Sequence, residues 1–287
     1  MPKIDTLVQD IYAVVDGKGG WDAAVHEFFL EDVGNVVWSR LGEDREERKP
    51  TLRLSAMGNP CTRKLWYEIN SPDEREVLSP STLFKFIYGD LLESLVLSLA
   101  KAAGHRVEGC QDTLEVAGIK GHRDAVIDGI TIDVKSASPY AFQKFKQGNL
   151  RSDDPFGYIS QLSSYVYAGR TQTEVESHPS LGAFLVVDKV SGEICLDMYD
   201  FGHEINTKEE DIQRIKDACN DAENIPERSF EDIPDGKSGN MKLGVQCSYC
   251  GYKESCWPGL RTFLYSGKPR FLTQVERMPK DTIKEVT

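Results

Sequence analysis

At 287 residues, of which 40% are hydrophobic and 9% aromatic, the chain can fold around one large core or two small ones, and its composition is not that of a disordered protein. The formal net charge of −12 excludes a general nucleic-acid coat protein, which would be basic, although an acidic protein can still carry a local basic groove. Since no run of about 18 apolar residues occurs and the first residues lack the apolar core of a signal peptide, we expect no membrane partner and a cytoplasmic location in a bacterial, archaeal or virus-infected host cell.

The first part of the chain is predicted to be helical. Apolar residues recur at helical spacing through residues 4–42, and the charged run 43–49 is predicted to be a solvated connection. A short helix is expected over residues 61–69. A longer helix is predicted to begin at Ser79 and to end at Gly104.

Strand and helix patterns alternate in the middle of the chain, and this order predicts an α/β core with a mixed sheet. Residues 224–244 are rich in Pro and Gly and predict a long connection. The strands are expected near residues 106–108, 112–117, 121–127, 130–136, 181–190 and 193–200. The helices are expected over residues 139–147, 157–168 and 206–222.

The most informative stretch runs from Asp124 to Lys135. Asp128-Gly129 lies between two runs of β-forming residues and predicts a two-residue hairpin turn. This register places Asp124 opposite Asp133, roughly 5 Å apart at Cβ, with Lys135 on the same face. Because like charges opposed across a sheet are destabilising, the pair suggests a bound cation, and two acids and a lysine around a divalent ion can hydrolyse a phosphodiester. The alternative is an ordinary hairpin with solvated acids, one of them neutralised by Lys135.

Two helices carry further candidate residues. Glu93 lies off the apolar stripe of its helix, one turn after Gly89, where a glycine would leave room for a ligand. Gln161 and Tyr165 lie one helical turn apart on one face. Each of these residues also has an ordinary interpretation, as a solvated acid or a surface pair with satisfied hydrogen bonds.

Taken together, the order and spacing of these motifs resemble the motif series of RecB-type nucleases in the PD-(D/E)XK superfamily. The matching segments are Gly89-x-x-x-Glu93, Gly121-His-Arg-Asp124, Asp133-Val-Lys135 and Gln161-x-x-x-Tyr165. The resemblance implies a restriction-endonuclease-like core, with a central mixed β-sheet flanked by helices. It also implies that Asp124, Asp133 and the Val134 carbonyl hold Mg²⁺ or Mn²⁺. Glu93, where members often have His, would be a ligand directly or through water.

The resemblance further implies how the remaining residues act. Lys135 would orient the attacking water and offset negative charge in the transition state. Gln161 and Tyr165 would position the DNA strand or the lysine. The implied activity is that of a metal-dependent DNA exonuclease on single-stranded ends with 5′-to-3′ polarity, in recombination and repair, viral DNA processing or CRISPR adaptation. The alternative is a non-catalytic DNA-binding or assembly subunit on the same fold.

Three of the seven cysteines lie in one short segment, as Cys247-x-x-Cys250 followed by Cys256. An odd number of cysteines without a secretory signal does not predict a disulfide framework. Three thiolates lack one ligand for a four-coordinate site, and spacing alone favours zinc over an iron–sulfur cluster.

A fourth cysteine, Cys61, changes this interpretation. Its setting, Asn59-Pro-Cys-Thr-Arg-Lys-Leu-Trp-Tyr67, resembles the first cysteine of RecB-like nucleases whose ends are joined by a [4Fe–4S] cluster. The CRISPR-associated exonucleases of spacer acquisition and the AddB subunit belong to that branch. This resemblance covers roughly residues 52–260 and implies a cluster held by all four cysteines, a structural staple that closes a long loop. Structural zinc and unligated buried thiols are the alternatives.

DNA is the expected partner. A further partner could be a second copy of the chain or a protein of recombination or CRISPR adaptation. Aromatic and basic residues that interleave after Lys135, among them Phe142 and Phe145, could stack bases and hold phosphates, or could form an ordinary amphipathic helix. The candidates for DNA contact are Tyr140, Lys144, Lys146, Arg151, Arg63, Lys64 and Arg123.

The predicted organisation divides the chain into consecutive segments. They are a helical N-terminal extension over residues 1–50, a helical region with the first cluster cysteine and first nuclease motif over residues 51–103, the nuclease core over residues 104–223, and a linker with the C-terminal iron–sulfur region over residues 224–287.

Overall fold

A computed structural model describes residues 3–43, 49–280 and 282–286 of the chain. The charged connection predicted over residues 43–49 therefore lies, apart from its two end residues, outside the described residues. Among the described helices, none combines the length and the apolar composition needed to cross a membrane.

Helices form the N-terminal layer and flank the strands, as predicted. The long helix begins where its sequence indicates, since the Ser79 hydroxyl caps it by accepting a hydrogen bond from the Thr82 amide at 3.3 Å. The helices are α1 (Leu7–Ala13), α2 (Ala23–Leu41), α3 (Thr62–Asn70), α4 (Pro80–Ala102), α5 (Pro139–Lys146), α6 (Tyr158–Gly169), α7 (Lys208–Asn220), α8 (Val245–Ser248) and α9 (Lys253–Cys256).

Strands occupy the middle of the chain and also its C-terminal part. The middle strands follow the prediction closely, whereas the C-terminal ones were not predicted. The strands are β1 (Val107–Glu108), β2 (Thr113–Val116), β3 (Ile119–His122), β4 (Ala125–Ile127), β5 (Ile130–Ala137), β6 (Leu181–Asp188), β7 (Ile194–Asp200), β8 (Ile233–Pro234), β9 (Met241–Lys242), β10 (Arg261–Tyr265), β11 (Lys268–Gln274) and β12 (Lys284–Val286).

The chain divides into two compact units, which differ from the consecutive segments predicted from sequence. The first unit comprises Met1–Lys49, Arg53–Gly58 and Leu78–Gln213. The second comprises Pro50–Leu52, Asn59–Val77 and Arg214–Thr287. The segment Asn59–Val77, which contains Cys61 and α3, thus belongs with the C-terminal region rather than with α4.

The first unit is built on a mixed sheet with the strand order β1-β4-β5-β6-β7. β5 and β6 are parallel, while the other neighbouring pairs are antiparallel. Helices flank this sheet, which confirms the predicted α/β fold with a restriction-endonuclease-like core. The predicted single strand over residues 121–127 is wrong, because the chain turns at Arg123 and Asp124, and β3 pairs instead with β2 in a separate two-stranded sheet.

The β4–β5 hairpin has the predicted register. Ile127 pairs with Ile130, and Ala125 pairs with Ile132. Asp128 and Gly129 form the turn with φ angles of 50° and 84°, which are the two positive values that a type I′ turn requires. The turn sequence therefore fixes which residues of β5 lie beside the end of β4.

Two hydrophobic clusters form the core of this unit. The first cluster includes Leu97 of α4 with Ile132 and Val134 of β5. The second includes Leu162 of α6 with Phe184 of β6. Because side chains alternate along a strand, Asp133 and Lys135 project from the face of β5 opposite to Ile132 and Val134.

The second unit contains an antiparallel sheet with the strand order β12-β10-β11-β9-β8. Two of its strands lie within residues 224–244, which were predicted to be a connection. Ser266 and Gly267, with φ angles of 50° and 76°, form a tight turn between β10 and β11. The Ser191-Gly192 signal predicts that β6 and β7 form a hairpin, which they do, but the predicted two-residue turn is wrong because β6 ends at Asp188 and Val187 pairs with Ile194. The β10–β11 hairpin carries the same Ser-Gly signal and could have been recognised from the sequence.

Candidate active site

The structure brings together the two aspartates and the lysine singled out from sequence. Asp133 and Lys135 lie two residues apart on β5, and Lys135 Nζ is 2.5 Å from Asp133 Oδ1. Asp124 directly precedes β4, and its Oδ2 accepts a hydrogen bond from the Val134 amide at 2.7 Å. That hydrogen bond crosses from the end of β4 to β5 and fixes the Asp124 carboxyl against the strand that carries the other two groups.

Asp133 is buried, and the one ammonium that offsets its charge also lies near Asp124. The residue is only 2% exposed. Oδ1 is in ion-pair contact with Lys135, and the Asp124 carboxyl lies within interaction range. A buried carboxylate normally has hydrogen-bond partners, so Asp133 is suited to bind a further cation.

The proximity of these charges changes their pKa values. Burial, followed by the charge of Asp133, raises the pKa of Asp124 to about 8, although Lys135 and the Val134 amide oppose the shift. Burial lowers the pKa of Lys135, but Asp133 and Asp124 outweigh that effect, so its pKa is raised. The site therefore favours a bound proton or another positive charge beside the carboxylates.

Glu93 of α4 adds a third carboxylate. Burial, followed by the charges of Asp124 and Asp133, raises its pKa well above the ordinary value. The Gln111 side chain donates a hydrogen bond to Glu93 Oε1 at 2.7 Å. One turn earlier, a Cβ added at Gly89 would lie 3.4 Å from Ser136 Oγ, so α4 passes within contact distance of β5 here. The structure thus places Glu93 in the same electrostatic group as the two aspartates.

Helix α6 contributes Tyr165 to the site. Tyr165 is 4% exposed, and burial, followed by the charges of Asp133 and Asp124, raises the pKa of its hydroxyl. Gln161 is half-buried one turn earlier, and among the described residues its side chain makes no hydrogen bond to the carboxylates. Tyr165 is therefore close to the acidic group, whereas Gln161 lies on the same helix without a direct contact.

Tyr158 is a site residue that the sequence analysis missed. The Lys135 ammonium lies 5.2 Å from the centroid of the Tyr158 ring. Burial raises the pKa of the Tyr158 hydroxyl, and Lys135 opposes that shift. Since Tyr158 precedes Tyr165 by seven residues, helical spacing could have placed it on the same face of α6.

The donor atoms of the acidic group fit a divalent cation such as Mg²⁺ or Mn²⁺. Carboxylate and carbonyl oxygens are the ligands these ions prefer, and the Asp133 carboxylate is incompletely paired. Within the described ranges, no three side chains of His, Cys, Asp or Glu are positioned as they stand to hold a metal ion. Because Lys135 is paired with Asp133 Oδ1, metal binding requires the lysine and the carboxylates to adjust.

Most of the basic residues predicted to contact DNA pair with acids of the protein. Those of α5 and the following turn form ion pairs with N–O distances of 2.5–3.0 Å. A DNA phosphate would have to compete with these carboxylates. The pairs are Lys144 with Asp153, Lys146 with Glu193 and Arg151 with Glu204.

The predicted DNA contact by Arg123 is wrong. Arg123 is fully buried and donates hydrogen bonds to Asp112 at 2.8 Å and to the Gly109 carbonyl at 3.3 Å. It braces the turn that precedes Asp124 rather than facing solvent. In the second unit, Arg63 donates to the Pro226 carbonyl at 3.0 Å, and Lys64 pairs with Glu68 at 3.8 Å.

The four predicted cluster cysteines all lie in the second unit and are free thiols. Burial, followed by the negative charges that Cys250, Cys61 and Cys256 would carry, raises the pKa of Cys247 to about 11. The Tyr252 amide donates to Cys250 Sγ at 3.5 Å. The thiols are therefore close enough to interact, and a positively charged centre would offset the cost of ionising them.

Comparison with known proteins gives one family. The model of the PD-(D/E)XK nuclease superfamily matches residues 18–257. No curated protein matches the chain. Among solved structures, the crystal structure of SSO0001 is similar with a TM-score of 0.42 and 15% sequence identity, over 82% of this chain and 96% of that chain.

Proposed function

The chain belongs to the PD-(D/E)XK nuclease superfamily, and on this premise we propose that it is an Mg²⁺- or Mn²⁺-dependent deoxyribonuclease that acts as an exonuclease. The observation that carries the proposal is the pairing of half-buried Asp124 with buried Asp133 beside Lys135. Burial, followed by the charge of Asp133, raises the pKa of Asp124 to about 8, and one ammonium, that of Lys135, lies beside both carboxyl groups. Carboxyl groups with pKa values shifted in this way are typical of functional sites.

Asp124, Asp133 and the Val134 carbonyl would hold the divalent ion, and Glu93 would complete its ligands directly or through water. When bound, such an ion polarises the phosphodiester and lowers the pKa of a ligand water. The acidic group supplies the negative charge that attracts the ion to this end of β5. The Gln111 amide, which donates to Glu93 Oε1 at 2.7 Å, orients the third carboxylate.

Lys135 acts on the reacting groups. Its ammonium is paired with Asp133 at 2.5 Å, and a cation that neutralises Asp133 would free it to donate a hydrogen bond to the attacking water or a phosphate oxygen. The Tyr158 ring, 5.2 Å from that ammonium, limits where it can move. Tyr165 would position the strand or the lysine from the same helix, as would Gln161 after a side-chain movement.

Single-stranded DNA ends, degraded with 5′-to-3′ polarity, are the substrate that the resemblance to the iron–sulfur branch of these nucleases favours. The cellular role would then be in recombination and repair, viral DNA processing or CRISPR adaptation. Tyr140, which is 75% exposed, supports contact with unpaired bases, because an exposed ring can stack on them.

We further propose that Cys61, Cys247, Cys250 and Cys256 hold a structural [4Fe–4S] cluster. The location of all four cysteines, as free thiols, in the second unit supports this assignment. The cluster would tie residues 59–77 to the C-terminal segment within the second unit, and closing so long a loop stabilises the fold. Brown protein that absorbs near 400 nm and contains iron is the expected result, whereas a colourless protein containing zinc would contradict it.

Cleavage assays test the nuclease proposal directly. End-labelled single- and double-stranded DNA are incubated with Mn²⁺, Mg²⁺ or a chelator, and the products are resolved by length. We expect metal-dependent shortening from one end, and its loss in Asp124→Asn. Asp197→Asn is the matched control, because Asp197 is also buried, with a raised pKa, on β7 of the same sheet. Absence of cleavage by the wild type under all conditions would support the non-catalytic alternative.

A further inference from the structure

Gln111 has a backbone conformation that residues with a Cβ seldom adopt. It lies in the loop that joins β1 to β2, residues 109–112, and its φ angle is 56°, in the left-handed region. Glycine adopts this conformation without strain, whereas a residue with a side chain does not. A glutamine in this position therefore indicates that its side chain has a function.

The 109–112 loop is fixed against the segment that carries Asp124. The Arg123 amide donates to the Asp112 carbonyl at 3.3 Å, and the Arg123 guanidinium donates to Asp112 Oδ2 at 2.8 Å. Gly109 leaves room for the guanidinium, because a Cβ there would collide with Arg123 Nη2. The surrounding contacts thus hold the strained backbone of Gln111 in place.

Gln111 joins two of the three acidic residues of the site. Its backbone amide donates to the Asp124 carbonyl at 3.3 Å, and its side-chain Nε2 donates to Glu93 Oε1 at 2.7 Å. One residue therefore ties Glu93, on α4, to Asp124, which directly precedes β4. Because the Gln111 amide is neutral, it holds Glu93 without a positive charge that would compete with a metal ion.

The hydrogen bond from Gln111 restricts how Glu93 can meet a cation. The amide engages Oε1, so Oε2 is the oxygen left to approach an ion. Mg²⁺ requires near-octahedral geometry at short distances, and Mn²⁺ is suited to the same oxygen ligands. Ca²⁺ is larger, accepts up to about eight oxygens and commonly takes both oxygens of one carboxylate. A glutamate that offers one oxygen therefore favours the smaller ions.

We propose that Gln111 sets the metal preference of the site, because it holds Glu93 as a ligand through one oxygen and so favours Mn²⁺ or Mg²⁺ over Ca²⁺. Gln111 is a positioning residue, since it acts on the ion through Glu93. The inference rests on the proposed nuclease function and adds to it the residue that selects the ion.

Metal preference is measured by calorimetry on the full chain without DNA, with Mn²⁺ and Ca²⁺ titrated separately. Gln111→Ala should weaken Mn²⁺ binding by about tenfold, because it removes the partner that orients a ligand. Ca²⁺ binding should change by less than about threefold, since the released Glu93 can offer both oxygens to the larger ion. Gln9→Ala, on the exposed surface of α1, is the control for removal of an exposed glutamine.

Gln111→Gly separates the effect of the side chain from that of the backbone. It should lose the metal preference as Gln111→Ala does, but unfold at a temperature about 2 °C higher than that variant, because glycine relieves the strain. Ala117→Gly is the matched control, since Ala117 has a φ angle of 50° between β2 and β3. It should gain stability and keep the wild-type metal preference.

A double variant tests whether Gln111 acts through Glu93. In a Glu93→Ala background, which retains both aspartates, Gln111→Ala should leave both metal affinities within about twofold. Additive losses in the double variant, or a wild-type ratio of Mn²⁺ to Ca²⁺ affinity in Gln111→Ala, would overturn the proposal. If Gln111→Ala does not fold, as thermal unfolding would reveal, the ratio in Gln111→Gly decides.

The wild-type protein separates this inference from the nuclease proposal. If the wild type binds Mn²⁺ and cleaves DNA while the Gln111 variants keep its metal preference, only the role of Gln111 is refuted. If the wild type neither binds Mn²⁺ nor cleaves DNA, the nuclease proposal fails and the role of Gln111 fails with it.

Discussion

At the scale of single residues, the site depends on carboxyl groups whose ionised form is disfavoured by burial and by neighbouring carboxylates. Asp124 and Asp133 are brought together by local sequence, and this pairing was predictable from the Asp-Gly turn. The ion pair of Lys135 with Asp133 was partly predictable, since both project from one face of β5. The aromatic contact with Tyr158 was not predicted, because it depends on how α6 lies against the sheet. The burial of Arg123 was not predicted either, because its partner Asp112 lies outside the segment Gly121–Asp124.

The first prediction concerns the pH dependence of stability in chelator. The pKa of Asp124 is about 8 in the folded protein against an ordinary value of 3.8. Between these values the unfolded chain releases this proton while the folded chain keeps it, so the free energy of unfolding should fall as pH rises from about 4 to about 8. Urea unfolding across this range should show a smaller slope for Asp124→Asn, and that variant should be more stable by about 1–3 kcal/mol at pH 8. Equal slopes for the wild type and Asp124→Asn would show that folding does not raise the pKa of Asp124.

The second prediction concerns Lys135. Lys135→Ala removes the ammonium that pairs with Asp133 at 2.5 Å, and it should lower the cleavage rate by about 10²-fold or more. Mn²⁺ affinity should be kept or increased, because the lysine no longer competes for Asp133. Lys120→Ala is the control, since Lys120 is likewise ion-paired, with Glu115, but has an exposed side chain (70%). A variant that cleaves at the wild-type rate would exclude a catalytic role for Lys135.

At the scale of elements, turn sequences decide the geometry that the site needs. The Asp128-Gly129 hairpin was predictable because a two-residue turn leaves few alternatives for register. For the β6–β7 hairpin the sequence indicated the pairing but not the register, because the connection is longer than two residues. The end of β3 was not predictable, because the chain bends at Arg123 under the influence of Asp112 and Gly109, which lie earlier in the chain. The C-terminal sheet was overlooked because its short strands near residues 233 and 241 lie among Pro and Gly residues.

The third prediction tests the β4–β5 turn. Gly129 has φ of 84°, and a Cβ there would meet nothing closer than Arg106 at 3.8 Å, so Gly129→Ala introduces backbone strain alone. We expect a loss of about 1 kcal/mol in stability, together with lower cleavage activity, because a shifted turn separates Asp124 from Asp133. Gly192→Ala carries similar strain, with φ of 76° and open space around its Cβ. It should lose stability without losing activity; equal activity of both variants would mean that the turn does not control the site.

At the scale of the whole molecule, the sequence predicted the fold class but not the division of the chain. The acidic motifs lie in the first unit, and the four cysteines lie in the second. The grouping of residues 59–77 with the C-terminal region agrees with a shared site for Cys61 and the later cysteines. Spacing along the chain could not reveal this division, because it depends on contacts between distant segments.

The fourth prediction tests the cysteine assignment. Cys61→Ala should lose bound iron and lower the free energy of unfolding by more than about 3 kcal/mol, because a site with one ligand missing no longer joins the two segments. Cys219→Ala is the matched control, since Cys219 is fully buried in the same unit but is not one of the four. It should keep its iron and cost only about 1 kcal/mol. Iron analysis and thermal unfolding of both variants test this assignment. A stable Cys61→Ala variant with full iron content would exclude Cys61 as a ligand.

The measurement that tests the central claim most directly is a Mn²⁺ titration by calorimetry, with DNA cleavage assayed on the same samples. If Asp124 and Asp133 share a divalent ion, the wild type and Asp197→Asn will bind Mn²⁺ and cleave DNA. Asp124→Asn and Asp133→Asn, though folded, will lose both properties. Wild-type Mn²⁺ affinity and cleavage in either of these two variants would contradict the account.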